Sequence, residues 1–402
     1  MSVDTSKQTI DDLLSRGVEE VIVSEHLEKR LQSGDVLRIK FGIDPTSPHM
    51  HLGHTVPLRK LRQFQDAGHQ AVLIIGDATA LIGDPTGRSE TRNMLSKEKI
   101  IENKQSYLEQ AGRILDLSTL EVRHNGEWFH PMSAADFLAL TSLVTVQQIL
   151  QREDFQSRVA DTEHPLSAIE LAYPVMQGYD SVMVKADVEI GGYDQKLNLL
   201  MGRRIQRRFD LEEQDILTVP LLLGTDGERK MSKSFGNAIS LEDSAEEMFA
   251  KTMSIPDSLI VNYFTLLTNT PTEDIVAISK TLIRDEVNPR DVKARLAFEI
   301  VCSFHGDAMA SKAQETFDKL FRDKIGPEED QIISVTRLAC GDTRVMSVVA
   351  TAFGLSRSEA RRQVEQGGVK VNGALVSDIN HLIKIGEVVQ KGPRHFARLV
   401  EE

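Results

Sequence analysis

Val36–Leu37–Arg38–Ile39–Lys40–Phe41 runs into the turn Gly42–Ile43–Asp44–Pro45. A helically spaced stretch from about Gly53 to Gly68 follows, and then the apolar run Ala71–Val72–Leu73–Ile74–Ile75–Gly76. The first segment reads as a strand stopped by its turn residues, and the last is the short continuous apolar run of a strand buried in a parallel sheet. Strand, helix and strand in that order make a βαβ unit, so the N-terminal half is α/β. Farther on, Val182–Met183–Val184 through Val188–Glu189–Ile190 reads as another strand, leading through Gly191–Gly192 into a helix from Gln195 to Phe209. From about Leu241 to Phe321 the apolar spacing is helical throughout, with Asn288–Pro289 opening one helix as N-cap and first residue, which predicts a separate helical domain. Asp323 to Asp342, containing Gly326–Pro327–Glu328–Glu329–Asp330, reads as a linker. Short strands and turns come after it, and Asn372–Gly373 signals a hairpin.

At about 100–200 residues per domain, 402 residues make two to four domains, and 41% hydrophobic against 27% charged residues allows real cores. The net charge of −13 argues against indiscriminate adhesion to nucleic acid or membrane surfaces. It is uneven: residues 343–402 carry nine Lys and Arg against six Asp and Glu, a net of +3, which leaves −16 for the rest. An acidic body with a basic tail is the asymmetry of an appended nucleic-acid-binding module, although a solvated, mildly basic small domain has the same count. Two distant cysteines, Cys302 and Cys340, build neither a disulfide framework nor a Cys-rich zinc site, and a reducing cytoplasm fits them best. The polar start from Met1 to Gln8 has no signal-peptide pattern, and no apolar run approaches the ~20 residues of a membrane span, so a soluble intracellular protein is expected.

The chain contains neither G-x-x-x-x-G-K-[ST] nor G-x-G-x-x-G after a strand. Two other segments carry the chemistry. His51 and His54 lie three apart at the start of the first helix, so both imidazoles can face one ligand at the positive end of the helix dipole, and Gly53 between them lets a flat base approach. A pair of surface histidines is the plainer alternative; a zinc site lacks the required i, i+4 spacing and glutamate. Lys230–Met231–Ser232–Lys233–Ser234 follows the turn-rich Gly224–Thr225–Asp226–Gly227–Glu228–Arg229. Its two lysines and interleaved hydroxyls suit a triphosphate, though alone the run would be a solvated loop. Tyr173, Gln177 and Asp180 lie at i, i+4 and i+7, a polar stripe suited to a pocket wall, with Pro174 placing them near a helix start or at a kink.

These motifs resemble those of the class I aminoacyl-tRNA synthetases, whose HIGH signature is here His51–Leu52–Gly53–His54 and whose KMSKS signature is Lys230 to Ser234 unchanged. More narrowly, the chain resembles the bacterial tyrosyl-tRNA synthetases. Phe41 to Thr46, Ile82–Gly83–Asp84–Pro85–Thr86–Gly87, Tyr173 to Asp180 and Asp194–Gln195 carry that likeness, which extends to a C-terminal RNA-binding domain of the S-four type. The resemblance implies a Rossmann-like parallel-sheet catalytic domain (residues 1–224), the KMSKS loop with an all-α domain (225–325), a linker (326–342) and a small α+β S-four-like domain (343–402). It implies that L-tyrosine and ATP give tyrosyl-adenylate and pyrophosphate, and that tyrosine then passes to the 3′-terminal adenosine of its tRNA. Magnesium comes with the ATP, no tightly bound metal or organic cofactor is expected, and the protein is a cytoplasmic homodimer.

The site residues follow from the same likeness. Thr46, His51 and His54 on one side and Lys230 and Lys233 on the other supply the positioning and the positive charge around the α-phosphate and departing pyrophosphate. ATP is held by Asp44, His51, Gly53, His54, Asp194 and Lys230 through Ser234, Met231 and Ser232 included. Tyr173, Gln177 and Asp84 take the ammonium of the amino acid, Asp180 its phenolic hydroxyl, with Thr79 and Gln195 completing the tyrosine site. Arg344, Arg357, Arg361, Arg362 and Lys370 face tRNA phosphates. The chain departs from the family at Tyr193, where Thr or Ser usually precedes Asp-Gln, and at Lys40, where some members place a phenol-binding tyrosine; the second partner of Asp180 is left unassigned. Three other readings compete: a non-ligating RNA-binding paralogue, another HxGH nucleotidyltransferase, and the tryptophan enzyme.

Overall fold

A computed structural model describes residues 2–85, 96–321, 332–336, 342–392 and 395–400; Thr86 and Gly87 of the glycine–proline motif lie outside them. The chain divides into two compact units, residues 1–311 and 312–402.

The first unit is built on a six-stranded sheet of β1 (Glu20–Ile22), β2 (Arg38–Ile43), β3 (Gln70–Ile75), β4 (Glu121–His124), β5 (Val188–Gly192) and β6 (Asp215–Val219), in the order β1-β6-β5-β2-β3-β4. All neighbours are parallel except β1, which runs antiparallel to β6. Strand β3 shows why the apolar run was legible: five of its six side chains are buried, each worth about 1–3 kcal/mol of apolar burial. The helix Leu52–Asp66 joins β2 to β3 as the spacing predicts. One expectation is corrected. Val182 and Met183 end the helix Tyr173–Met183 instead of starting a strand, and β5 begins only at Val188, because that helix packs its apolar residues against the helix Lys196–Arg208 and the turn at 184–187 separates the two elements.

The helices Ala245–Met253, Ile260–Leu267, Thr272–Ile283 and Pro289–His305 form as expected, and Asn288 caps the last by accepting from the Arg290 amide. They are not a separate domain. Residues 1–311 cluster as one body, in which the helix Ile260–Leu267 packs on Leu52–Asp66, Arg16 donates to the Thr268 carbonyl at 2.8 Å, and Tyr263 Oη donates to the Leu223 carbonyl at 2.7 Å.

The second unit holds a five-stranded sheet of β7 (Ile332–Thr336), β8 (Val369–Val371), β9 (Ala374–Leu375), β10 (Val388–Lys391) and β11 (His395–Val400), ordered β7-β11-β10-β8-β9. The segment 326–342 is therefore more than a linker: β7 lies within it and pairs parallel to β11 from Ile332↔Phe396 to Thr336↔Val400. Its β-branched residues had been outvoted by the neighbouring Gly, Pro and acidic run. The hairpin between β8 and β9 turns at Asn372 (φ 48°) and Gly373 (φ 82°), both left-handed as a two-residue primed turn requires. Val345, Val348, Val349, Ala360, Val364, Val369 and Leu399 make its core.

Candidate active site

From β2 the chain proceeds outward to β3 and β4, then returns to place β5 on the other side of β2 and continues to β6. This reversal between β2 and β5 is the topological switch point of an open α/β sheet, where the loops part and leave a crevice beyond the carboxyl ends of the strands. A cleft of about 980 Å³ lies there. It is lined by the residues following β2 (Asp44, Thr46), the start of the next helix (His51, Gly53, His54), the helix Tyr173–Met183 (Tyr173, Gln177, Asp180), the end of β5 (Gly191, Gly192, Asp194, Gln195) and the loop at Lys230–Ser232.

One wall is a chain of directed hydrogen bonds. Pro174 sits in the first turn of its helix, where no amide donor is missed, so Tyr173, Gln177 and Asp180 do share a face. The Tyr173 hydroxyl donates to Asp44 Oδ2 at 2.9 Å, and burial beside Asp44, Asp84 and Asp180 pushes the phenol well above its usual range, so it stays a donor. Asp44 Oδ1 accepts from Thr79 Oγ1 at 2.7 Å. Gln177 gives its amide N–H to Glu189 at 3.2 Å, which leaves Oε1 as its acceptor for an ammonium. Gln195 donates to Asp84 Oδ2 at 2.6 Å and is itself oriented by Asn198, which Arg152 holds at 2.9 Å.

Asp180 is buried at the end of this wall, and its partners are residues that the sequence did not reveal. Trp128 Nε1 donates to Oδ1 at 2.9 Å and Asn125 Nδ2 to Oδ2 at 3.3 Å; Asn125 also reaches Thr79 Oγ1 at 3.0 Å. Burial raises the Asp180 carboxyl to about 7, against the opposing pull of Lys40, Trp128 and Asn125. The short helix Gly126–Phe129 carries no motif, and Trp128 reads as a core aromatic, so only the spatial pairing exposes its role. Lys40 is no substitute for a phenol-binding tyrosine: its ammonium is fully buried behind the helix, bonded to Glu189.

The opposite wall carries the two histidines. His51 is the N-cap of the helix Leu52–Asp66, its Nδ1 accepting from the Gly53 amide at 3.2 Å, while His54 Nδ1 accepts from the His51 amide at 3.1 Å. The pair is a capping box in which imidazoles replace the usual hydroxyl and carboxylate. Desolvation, aided by the Lys233 charge, drives His51 far down and His54 to about 4, so both are neutral at pH 7. With Nδ1 occupied as acceptor, the proton sits on Nε2, which faces outward as a neutral donor. The histidines therefore supply hydrogen bonds, and the positive charge is left to the lysines. Lys230 Nζ lies 3.2 Å from Asp194 Oδ2. Lys230, Met231, Ser232 and Ser234 line the cleft, whereas Lys233 is exposed beside them with its charge reaching both histidines.

Within this wall the histidine helix and the lysine loop are fastened together. Leu52 N–H donates to the Ile239 carbonyl at 2.9 Å and Leu241 N–H to the Met50 carbonyl at 3.1 Å, while Met231 N–H donates to the Leu222 carbonyl at 2.8 Å. Gly76 makes the floor possible, since a Cβ there would overlap Asp44 Oδ1 and Thr79 Oγ1. Gly76→Ala should therefore displace Asp44 and lower the catalytic rate constant about 10²-fold; an unchanged turnover rate would show that Asp44 has no positioning role.

In the second unit, Arg357, Arg361 and Arg362 are exposed on the helix Arg357–Glu365, whose Ala360 and Val364 face the core, and Lys370 is exposed on β8. Arg344 is exposed at a helix start and paired with Asp342 at 2.8 Å, and Arg361 with Glu365 at 2.7 Å. No helix among the described residues is long and apolar enough to cross a membrane.

A cleft at this switch point, flanked by an HxGH helix start and a KMSKS loop, defines a class I tRNA synthetase. Residues 32–322 match the class I tRNA synthetases of the W and Y group and residues 343–389 match the S4 domain, and the chain belongs to that class I family. The relatives with which it aligns end to end are tyrosine–tRNA ligases. The enzyme of Thermotoga maritima is 46% identical over 96% of both chains. That of Burkholderia lata is 47% identical over 96% of this chain and 93% of its own. Among solved structures, the Aspergillus nidulans mitochondrial tyrosyl-tRNA synthetase superposes with a TM-score of 0.66 at 24% identity, covering 79% of this chain and 95% of its own. The Archaeoglobus fulgidus tyrosyl-tRNA synthetase, solved with L-tyrosine, gives 0.63 at 22% identity, covering 77% and 100%. At those identities the likeness is one of fold.

Proposed function

We infer that the chain is a tyrosine–tRNA ligase, which joins L-tyrosine to ATP with release of pyrophosphate and then esterifies the 3′-terminal adenosine of its tRNA. The observation that carries this reading is Asp180, a buried carboxylate held by two donors at the end of a pocket wall that also presents Tyr173 and Gln177. A carboxylate so placed accepts a hydrogen bond from a phenol, which a bare phenyl ring cannot give; an indole N–H can also donate to it, as Trp128 does, so tryptophan is separated from tyrosine by the assay below.

The tyrosine carboxylate is already a nucleophile, so the chemistry needs alignment and charge stabilisation more than acid–base help. Asp84, Tyr173 and the Gln177 Oε1 hold the ammonium; Asp44 and Thr79 brace Tyr173 from below. One carboxylate oxygen attacks the α-phosphorus, the bond from that phosphorus to the bridging oxygen breaks, and pyrophosphate leaves. The Nε2–H groups of His51 and His54, with Thr46, donate to phosphate oxygens, while Lys230 and Lys233 offset the charge that builds on the departing group. Asp194 takes the ribose hydroxyls, exchanging its ion pair with Lys230 for them. In the second step the tRNA ribose oxygen attacks the acyl carbon and AMP leaves. Magnesium enters with ATP as part of the substrate. We assign the protein to the cytoplasm as a homodimer, in line with its family.

Pyrophosphate exchange measured in parallel with tyrosine, tryptophan and phenylalanine tests the reading. Exchange should be efficient with tyrosine and weaker by orders of magnitude with the other two; none with any of the three would leave an RNA-binding paralogue, and efficient exchange with tryptophan would make it the tryptophan enzyme. The arginine helix is assigned to tRNA. Since β7 belongs to the tail's sheet, the clean test is substitution in the full chain. Arg357→Ala, Arg361→Ala and Arg362→Ala together should leave exchange intact, weaken tRNA binding at least roughly tenfold and flatten its log–log salt dependence by about 2. An unaltered salt slope would remove the helix from the tRNA interface.

A further inference from the structure

We propose that Lys40 and Glu189 are a positioning pair for the phenol site: the buried ammonium ties the helix Tyr173–Met183 to the sheet across the switch point and supplies the positive charge that faces Asp180. This rests on the tyrosine reading above and adds a specificity role to two residues outside the cleft.

Lys40 and Glu189 are directly opposite each other in the β2–β5 register, and both are essentially inaccessible, at 0% and 1% exposure. A lysine in the middle of a buried strand is costly unless all its donors are used. Here all three are: Nζ donates to Glu189 Oε1 at 2.7 Å, Ser181 Oγ at 2.8 Å and the Gln177 carbonyl at 2.9 Å. Glu189 returns to the same helix, accepting from the Gln177 side-chain amide at 3.2 Å and from Ser181 Oγ at 3.1 Å, and it also accepts from Gln214. The pair thus grips the helix at Gln177 and Ser181, on either side of Asp180 in the chain. It fixes which end of the Gln177 amide faces the cleft and where the Asp180 carboxylate stands.

The second effect is electrostatic. The groups facing Asp180 are Lys40 from β2, Glu189 from β5, Tyr173 from its own helix, and the neutral donors Asn125 and Trp128; Asp44 and Asp84 lie beyond Tyr173. Lys40 is the only cation among them. Burial pushes Asp180 toward its protonated form, Lys40 is the strongest influence opposing this, and Glu189 acts the other way. A protonated Asp180 has lost the charge that makes it a strong acceptor for a phenol. The sign follows: tyrosine recognition is complete above the Asp180 pKa and fades as pH falls through it.

The test is kcat/KM for tyrosine in pyrophosphate exchange as a function of pH, which reports the free enzyme. In the unmodified protein it should fall on the acid side near pH 7, while phenylalanine, which lacks the hydroxyl, shows no such limb. Lys40→Met should move the limb upward by about one pH unit, equivalent to a tenfold loss near neutrality, with kcat at saturating tyrosine near its original value. Because one buried charge without its partner can prevent folding, the double variant Lys40→Met/Glu189→Gln provides neutral side chains of similar shape. Its limb should fall between those of the unmodified and single-variant proteins, since the opposing Glu189 charge is removed as well. If the limbs of both variants coincide with the original, or if kcat and kcat/KM fall together with the limb unmoved, the pair is structural only and the proposal fails. Absence of any tyrosine-dependent exchange in the unmodified protein would instead overturn the ligase reading itself.

Discussion

Asp180→Ala should lower kcat/KM for tyrosine by about 10³-fold and remove most of the preference for tyrosine over phenylalanine. Three losses combine. The phenol loses its charged acceptor, a term of about 1.5–3 kcal/mol for a hydrogen bond to an ionised group. Trp128 Nε1 and Asn125 Nδ2 lose theirs, and each buried donor left bare costs the folded protein ~1–3 kcal/mol of stability and is free to turn away from the ring's place. The vacated volume admits either a disordered side chain or water, neither of which orients the ring. Asp180→Asn is no rescue: one carboxamide oxygen cannot accept from both donors, and its own N–H₂ must then point at one of them. The intact site should reject phenylalanine by roughly 10⁵, which is the figure already known for tyrosyl-tRNA synthetases and not one that these distances yield. Parallel exchange assays with the two amino acids check this, and retention of strong discrimination in Asp180→Ala would mean that the phenol is read elsewhere.

Lys233→Ala should reduce the rate of adenylate formation by about 10²–10³-fold, or roughly 2.7–4 kcal/mol of transition-state stabilisation, while tyrosine binding stays unchanged. Burial holds the two histidines neutral, so in the proposed mechanism cationic stabilisation of the departing pyrophosphate is assigned to Lys230 and Lys233. Lys230 begins in an ion pair with Asp194, whose rupture offsets part of its gain. Lys233 has a different setting: it is exposed on the loop, outside the cleft lining, and is assigned to the departing group, so its contribution should appear in the rate and not in ground-state affinity. Single-turnover adenylate formation and equilibrium tyrosine binding separate the two quantities. Equal losses in both would show that Lys233 supports the fold of the site and not the chemistry.

What could be read from the chain was local. The apolar run of β3, the Asn372–Gly373 turn, the Asn288–Pro289 helix start and the i, i+4, i+7 stripe at Tyr173, Gln177 and Asp180 are each decided within a few residues, and each forms as expected. Asn125, Trp128, Arg152 and Asn198 escaped notice because nothing near them in sequence marks them; they matter through contacts some tens of residues away. The neutrality of the histidines could not be read from the chain, because burial and capping are properties of the assembled helix start. The strand β7 was hidden by composition, since five residues of strand-forming character sit between linker-like neighbours and find their partner only at the far end of the tail.

The backbone bonds that join 50–52 to 239–241, together with the Met231–Leu222 bond, make the lysine loop a leash pinned at both ends. A leash of fixed length sets a local concentration: its ammonium groups search only the small volume above the histidines, and closing over a phosphate forfeits little chain entropy. The two signatures, nearly 180 residues apart in the chain, are thus one mechanical part, and the distance over which charge is delivered is set by the backbone before any nucleotide arrives.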